Sequence, residues 1–104
     1  MSTILCNAFS LQMLDLSKAS KVSIEPIDAP ALVNGEFVSA VGHADTAAVL
    51  ATTLGVEVPC NRVSVKLEEG TELIVAQIVG GRLPEGSTTL PEGFKFQFVR
   101  VTLQ

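Results

Sequence analysis

The run Glu72-Leu73-Ile74-Val75-Ala76-Gln77-Ile78-Val79 constrains the fold more than any other stretch of this sequence. It is apolar along most of its length, contains several β-branched residues and is bounded by Gly70 and by Gly80-Gly81, the pattern of a long strand at the centre of a sheet. The remaining segments must be arranged around it. Asn61-Arg62-Val63-Ser64-Val65-Lys66-Leu67 alternates polar and apolar residues, and the turn at Glu68-Glu69-Gly70-Thr71 predicts an antiparallel hairpin with the central strand.

Further strands are predicted over residues 2–7, 21–25, 36–41 and 94–103. Pro26 should end the second of these or mark an edge position, and Asn34-Gly35 is a hairpin-turn signal before the third. In the last strand Phe94, Phe96 and Phe98 fall on one face and Val99, Val101 and Leu103 on the other. That change near Phe98-Val99 implies a bulge or burial on both faces. Residues 11–14 form a single helical turn at most, whereas Ala47, Leu50, Ala51 and Leu54 recur at i, i+3, i+4 and i+7 and predict a helix packed on the sheet, stopped by Gly55. The sum is an α/β fold, a single domain over residues 1–104 with a mixed β-sheet of about five strands flanked by helices.

With 104 residues there is room for one core, and a hydrophobic content of 47% excludes a disordered chain. So much apolar content in so small a domain predicts a homodimer. No apolar run approaches the ~20 residues of a membrane span, and the N-terminus lacks the basic region and cleavage pattern of a secretory signal, so a soluble, cytoplasmic protein without a membrane partner is expected. The net charge is −4, and seven basic residues are scattered singly among eleven acids, which excludes a duplex nucleic-acid groove binder. A small, multiply charged ligand remains compatible with it. Cys6 and Cys60 form neither a CxxC pair nor a disulfide framework. No cluster of His, Cys and carboxylates has metal-ligand spacing, so neither metal nor cofactor is expected.

Chemistry concentrates at Val41-Gly42-His43-Ala44-Asp45-Thr46, where the sole histidine stands between a strand and the first turn of the predicted helix. That end of a helix has backbone N–H groups without intrahelical partners and partial positive charge, and histidine exchanges a proton near neutrality. An anion site with a proton donor beside it suits acid–base chemistry on a phosphate. Asn7 and Ser10 are of the types that cap helices and contact phosphates, with Ser10 a candidate N-cap. Gly80-Gly81-Arg82-Leu83-Pro84-Glu85-Gly86 is a turn-rich loop holding one arginine and one glutamate.

Four pieces resemble, in order and spacing, a known family. They are Asn7-Ala8-Phe9-Ser10 with Met13-Leu14, Gly42-His43 with Thr46, Asn61-Arg62-Val63 with Val65-Lys66, and Arg82-Leu83 with Glu85-Gly86. Together they look like the small viral ring nucleases, type III anti-CRISPR proteins first known from archaeal viruses, which have relatives encoded beside cellular CRISPR systems. The resemblance implies metal-independent cleavage of the second messenger cyclic tetra-adenylate, which switches off type III CRISPR defence. It also implies a homodimer with the ligand across its two-fold axis. By the same resemblance His43 is the catalytic acid, Arg82 and Glu85 line the active site, and Asn7 and Ser10 contact the ligand. Gly42, Asp45, Thr46 and Arg82 complete the substrate-contacting set. The chain departs from the family at Ala44-Asp45, where an Asp-Ser pair is usual, at Pro84 in place of a glutamate, and over residues 87–93, which are short where a helix is usual.

The implied chemistry suits the residues. In a ring of RNA each ribose 2′-hydroxyl attacks its own 3′-phosphate, leaving a linear product with a 2′,3′-cyclic phosphate. The protein has to orient the ring, stabilise phosphoryl charge and protonate the departing 5′-oxygen. His43 fits the last task and Arg82 the second; Glu85 either accepts the 2′-proton or, the favoured reading, holds Arg82 by an ion pair. The alternative is a non-catalytic dimeric module that sequesters a cyclic oligonucleotide or a host protein.

Overall fold

The computed structural model describes residues 2–14, 17, 21–27 and 37–103. Five strands, β1 (Ser2–Cys6), β2 (Val22–Ile27), β3 (Val38–Ser39), β4 (Thr71–Val79) and β5 (Lys95–Leu103), form one mixed sheet in the order β2-β5-β4-β1-β3. β4 lies at its centre, parallel to β1 and antiparallel to β5. β3 adds to β1 in parallel, and β2 adds to β5 in antiparallel fashion.

Among the described residues one α-helix, α1 (Ala44–Leu54), follows β3, and after it the chain comes back beside Val41 through the parallel bridge to Cys60. In α1, Thr46, Ala47, Val49, Leu50 and Leu54 are buried, and Leu50 and Leu54 pack with Leu5, Val41, Ile74, Ala76 and Phe98. Gly55 ends the helix at φ 72°, in the left-handed region, and donates its N–H to the Ala51 carbonyl at 2.9 Å. The opposite sheet face has no second helix among the described residues. It is covered by a 3-10 turn (Leu11–Met13) with Phe9 and Leu14, and by Val65 and Leu67, which pack against Cys6, Leu73, Val75 and Val101.

The expected hairpin around Gly70 does not form. Residues 61–67 belong to no strand, because β1 and β5 already occupy both edges of β4. They cross the second face instead, where the Leu67 N–H donates to the Met13 carbonyl at 2.7 Å and Lys66 Nζ to the Gln12 carbonyl at 2.9 Å. Of the alternating apolar residues, Val65 and Leu67 pack against the sheet while Val63 is exposed.

Three further expectations change. Strands β2 and β3 stand at opposite edges of the sheet and cannot form a hairpin; Asn34-Gly35 lies outside the described residues. The third strand is short, Val38–Ser39, followed by an isolated bridge between Val41 and Cys60. In β5 the register to β4 and β2 is unbroken, so no bulge exists there. Phe96 and Phe98 pack toward α1 while Val99, Val101 and Leu103 pack on the other face, so the strand is buried on both sides. Pro26 lies inside β2, an edge strand, where the missing N–H costs the sheet little.

Arg100 crosslinks three strands. It donates from Nη1 to Glu25 Oε1 at 3.0 Å and lies with Nε 3.4 Å from Glu72 Oε2. The group is partly exposed, so it fixes register more than it adds stability.

Three outcomes test this packing. Leu50→Ala, at a fully buried position, should lower unfolding free energy by about 2–5 kcal/mol in a denaturant titration. Cys6 is buried with its thiol donating to the Ala8 carbonyl at 3.2 Å, and desolvation raises its pKa from the usual 9.0 to about 11. The fold therefore favours the protonated thiol. The stability this contributes is intact below pH 9.0 and lost as pH rises through about 11. Equilibrium unfolding measured across that window should show the decline. A thiol reagent at neutral pH should label exposed Cys60 in the native protein and Cys6 only after unfolding.

Candidate functional site

Because β1 and β3 run parallel to β4, all three end at the same edge of the sheet. Three segments leave from there: residues 7–10, residues 42–46 and the loop over 80–87. The carboxyl edge of parallel strands is the usual place for a ligand in an open α/β sheet.

His43 occupies the N-cap of α1 in extended conformation, φ −121° and ψ 126°, and its carbonyl accepts the Ala47 N–H at 2.9 Å. Its side chain makes no capping hydrogen bond and the residue is exposed, so the imidazole is not consumed by the helix. The backbone leading to it is fastened from the neighbouring segment. Buried Ser39 donates from Oγ to the Pro59 carbonyl at 2.6 Å, while Asn61 donates from Nδ2 to the Ser39 carbonyl at 2.7 Å and from its N–H to the Val41 carbonyl at 2.8 Å. These bonds lay Arg62 over Gly42: a Cβ on that glycine would stand 3.5 Å from Arg62 Cγ. The aliphatic stem of Arg62 thus packs on the residue before His43, a placement the alternating pattern of 61–67 concealed. Its place in the Asn61-Arg62-Val63 motif was the available signal.

The loop after β4 is shaped by its glycines. Gly80 and Gly81 have φ 127° and 138°, and a Cβ on Gly80 would meet the Gly93 carbonyl oxygen at 2.8 Å, while one on Gly81 would meet Phe94 Cζ at 3.3 Å. Only glycine lets Phe94 lie against the base of the loop. Farther on, the Ser87 N–H and Oγ both donate to the Pro84 carbonyl, at 3.2 and 2.6 Å, and Gly86 at φ 81° completes a tight turn. The Gly86 N–H donates to Asp45 Oδ2 at 3.1 Å, which joins this turn to the first turn of α1.

The structure therefore links the first turn of α1, which follows His43, to the loop of Arg82 and Glu85 through Asp45 and Gly86, and Asn7 and Ser10 leave β1 at the same sheet edge. Arg82 and Glu85 are both exposed and form no ion pair with each other, contrary to expectation; two residues close in sequence face each other reliably only within a regular element, and here a turn intervenes. Ser10 stands at the N-cap of the 3-10 turn without a side-chain capping bond, and Asn7 is half-buried. Thr46 is buried, 8% exposed, on the inner side of α1 rather than offered at the surface. Asp45 places a carboxylate in the first helical turn, where it complements the positive end of the macrodipole. The anion affinity expected of a bare helix start is correspondingly reduced. Positive charge at this edge comes from the side chains of Arg62 and Arg82.

Comparison with known proteins agrees with this architecture. Over 55 residues, 53% of this chain and 46% of the relative, the sequence is 44% identical to uncharacterized protein 26 of Sulfolobus islandicus filamentous virus (isolate Iceland/Hveragerdi). Over 53 residues, 51% of this chain and 44% of the relative, it is 47% identical to uncharacterized protein ORF117 of Acidianus two-tailed virus. The matched stretch spans about half the length of these curated relatives. Among solved structures, B116 of Sulfolobus turreted icosahedral virus superposes with a TM-score of 0.77 at 26% identity, covering 98% of this chain and 99% of that one. The family model described as STIV B116-like matches residues 3–97, and the chain accordingly belongs to the STIV B116-like family.

Proposed function

We propose that this STIV B116-like protein is a ring nuclease that cleaves cyclic tetra-adenylate without a metal ion, and so switches off type III CRISPR defence in the cytoplasm of a host cell. The observation that carries the reading is the convergence of Asn7 and Ser10, of Gly42-His43 and of Arg82 and Glu85 on one carboxyl edge. Two of those segments are tied together by the hydrogen bond from Gly86 to Asp45. These belong to three of the four pieces on which the resemblance to ring nucleases rests, and they come from distant parts of the sequence.

In the proposed reaction a ribose 2′-oxygen bonds to the adjacent 3′-phosphorus while the bond from phosphorus to the 5′-oxygen breaks. His43 delivers a proton to that leaving oxygen, and the 2′-proton passes to Glu85, which is free of any ion pair with Arg82. Arg82 donates to the phosphoryl oxygens as charge builds there, its fork of N–H groups matching their geometry. Arg62, laid over Gly42, adds a second cation for the ring. A ring of four identical nucleotides contains a two-fold axis, so an isologous dimer would present a His43 from each subunit to opposite phosphates.

Two measurements test the reading. His43→Ala should reduce turnover of cyclic tetra-adenylate by about 10²–10⁴-fold, the usual contribution of a positioned general acid, while leaving binding of the ring largely intact. Turnover equal to wild type in that variant rejects the assignment. With substrate in molar excess and EDTA present, chromatography should show multiple turnovers to linear products ending in 2′,3′-cyclic phosphate. Stoichiometric binding without product would instead identify a sequestering module.

A further inference from the structure

Asp45 has a different place in the structure from the one its sequence position implies. As a substrate contact it would set a carboxylate against a phosphate, which like charge opposes. Its Oδ2 is instead engaged by the Gly86 N–H at 3.1 Å.

No acceptor for that N–H lies within its own turn. The turn closes through the Ser87 N–H to the Pro84 carbonyl, which leaves the amide of Gly86, in its left-handed conformation, without a partner inside the loop. A carboxylate makes a stronger acceptor than a neutral oxygen, and in the first turn of α1 it is favoured by the helix dipole as well. Among the described residues, no other hydrogen bond or ion pair joins the 80–87 loop to α1. The base of that loop is already set by Phe94 against Gly80 and Gly81. Arg82 and Glu85 lie between the two anchors, and His43 lies two residues before Asp45 on the helix side.

We propose that Asp45 is a positioning residue: its carboxylate fastens the 84–87 turn to the start of α1 and so fixes Arg82 and Glu85 relative to His43. The kinetic consequence rests on the ring-nuclease reading above, whereas the contact does not.

The experiment compares wild type, Asp45→Ala and Asp45→Asn by amide hydrogen exchange and by steady-state turnover of cyclic tetra-adenylate. In Asp45→Ala the Gly86 amide should exchange at least about tenfold faster with β4 amides unchanged, because only the local acceptor is lost. The kcat should fall by about 10–100-fold with KM little altered, the cost of misplacing groups that are still present. Asparagine retains a side-chain oxygen acceptor, weaker than the carboxylate, and should recover a large part of both losses. Unchanged Gly86 exchange in Asp45→Ala overturns the proposal, as does a kinetic loss that Asp45→Asn fails to rescue. If wild type shows no turnover, the ring-nuclease reading falls, and Gly86 exchange alone then decides whether Asp45 holds the loop.

Discussion

Parallel pairing of β1 and β3 with β4 is the constraint from which the candidate site follows. Parallel neighbours cannot be joined by a tight hairpin, so the chain must travel back outside the sheet between β3 and β4. Helix α1 begins where β3 ends, the bridge of Val41 to Cys60 brings the chain back beside that point, and residues 61–70 then lead to the start of β4. The exit of β1, the start of α1 and the exit of β4 therefore share one edge as a matter of topology. The pairing in turn depends on the burial of β4, whose Leu73, Ile74, Val75 and Ala76 are all essentially inaccessible and which has a strand on each side. A sheet assembled around such a strand has little freedom to slip, because a one-residue shift would exchange the side chains facing α1 for those facing Phe9, Val65 and Leu67.

Much of this was legible wherever one local period decides the answer. The continuous apolar run marked β4 as central, the i, i+3, i+4, i+7 spacing marked α1, and Gly55 marked its end. Residues 61–67 were misread because alternation reports that one side of an extended segment is buried and says nothing about whether a sheet edge is open to pair with it. Both edges of β4 were taken, a fact set by β1 some seventy positions earlier in the chain. In β5 the sequence offered a bulge or two-sided burial with equal force, and only the unbroken register separates them.

The site was legible in its parts and not in its connections. His43 could be placed at a helix start from its neighbours alone, and the glycines of 80–86 announced a loop. The bonds that bring those parts together span long separations: Ser39 to Pro59, Asn61 to Ser39, Gly86 to Asp45. Each uses a residue type that serves equally as a cap or a turn former, so composition cannot single it out. Arg62 is a case of the same kind, a surface arginine in an alternating run until Gly42 is found beneath it.

Charge then bears on how such a site would hold a polyanion. The chain is acidic overall, and the first turn of its helix already carries a carboxylate, Asp45. Each of Arg62 and Arg82 is exposed, where a single ionic contact is worth about 0–1 kcal/mol. One copy of the edge would therefore grip a multiply charged ring weakly. Under the two-fold arrangement proposed for the ring nuclease, the same two arginines recur on the far side of the ligand, and the second set engages without a second loss of translational freedom. Binding energy gathered this way comes from convergence on a closed, symmetric ligand rather than from net charge, and the same geometry disfavours a long duplex, which presents no ring to enclose. An acidic protein and a polyanionic substrate are then compatible, provided the loops at the sheet edge are held in place before the ligand arrives.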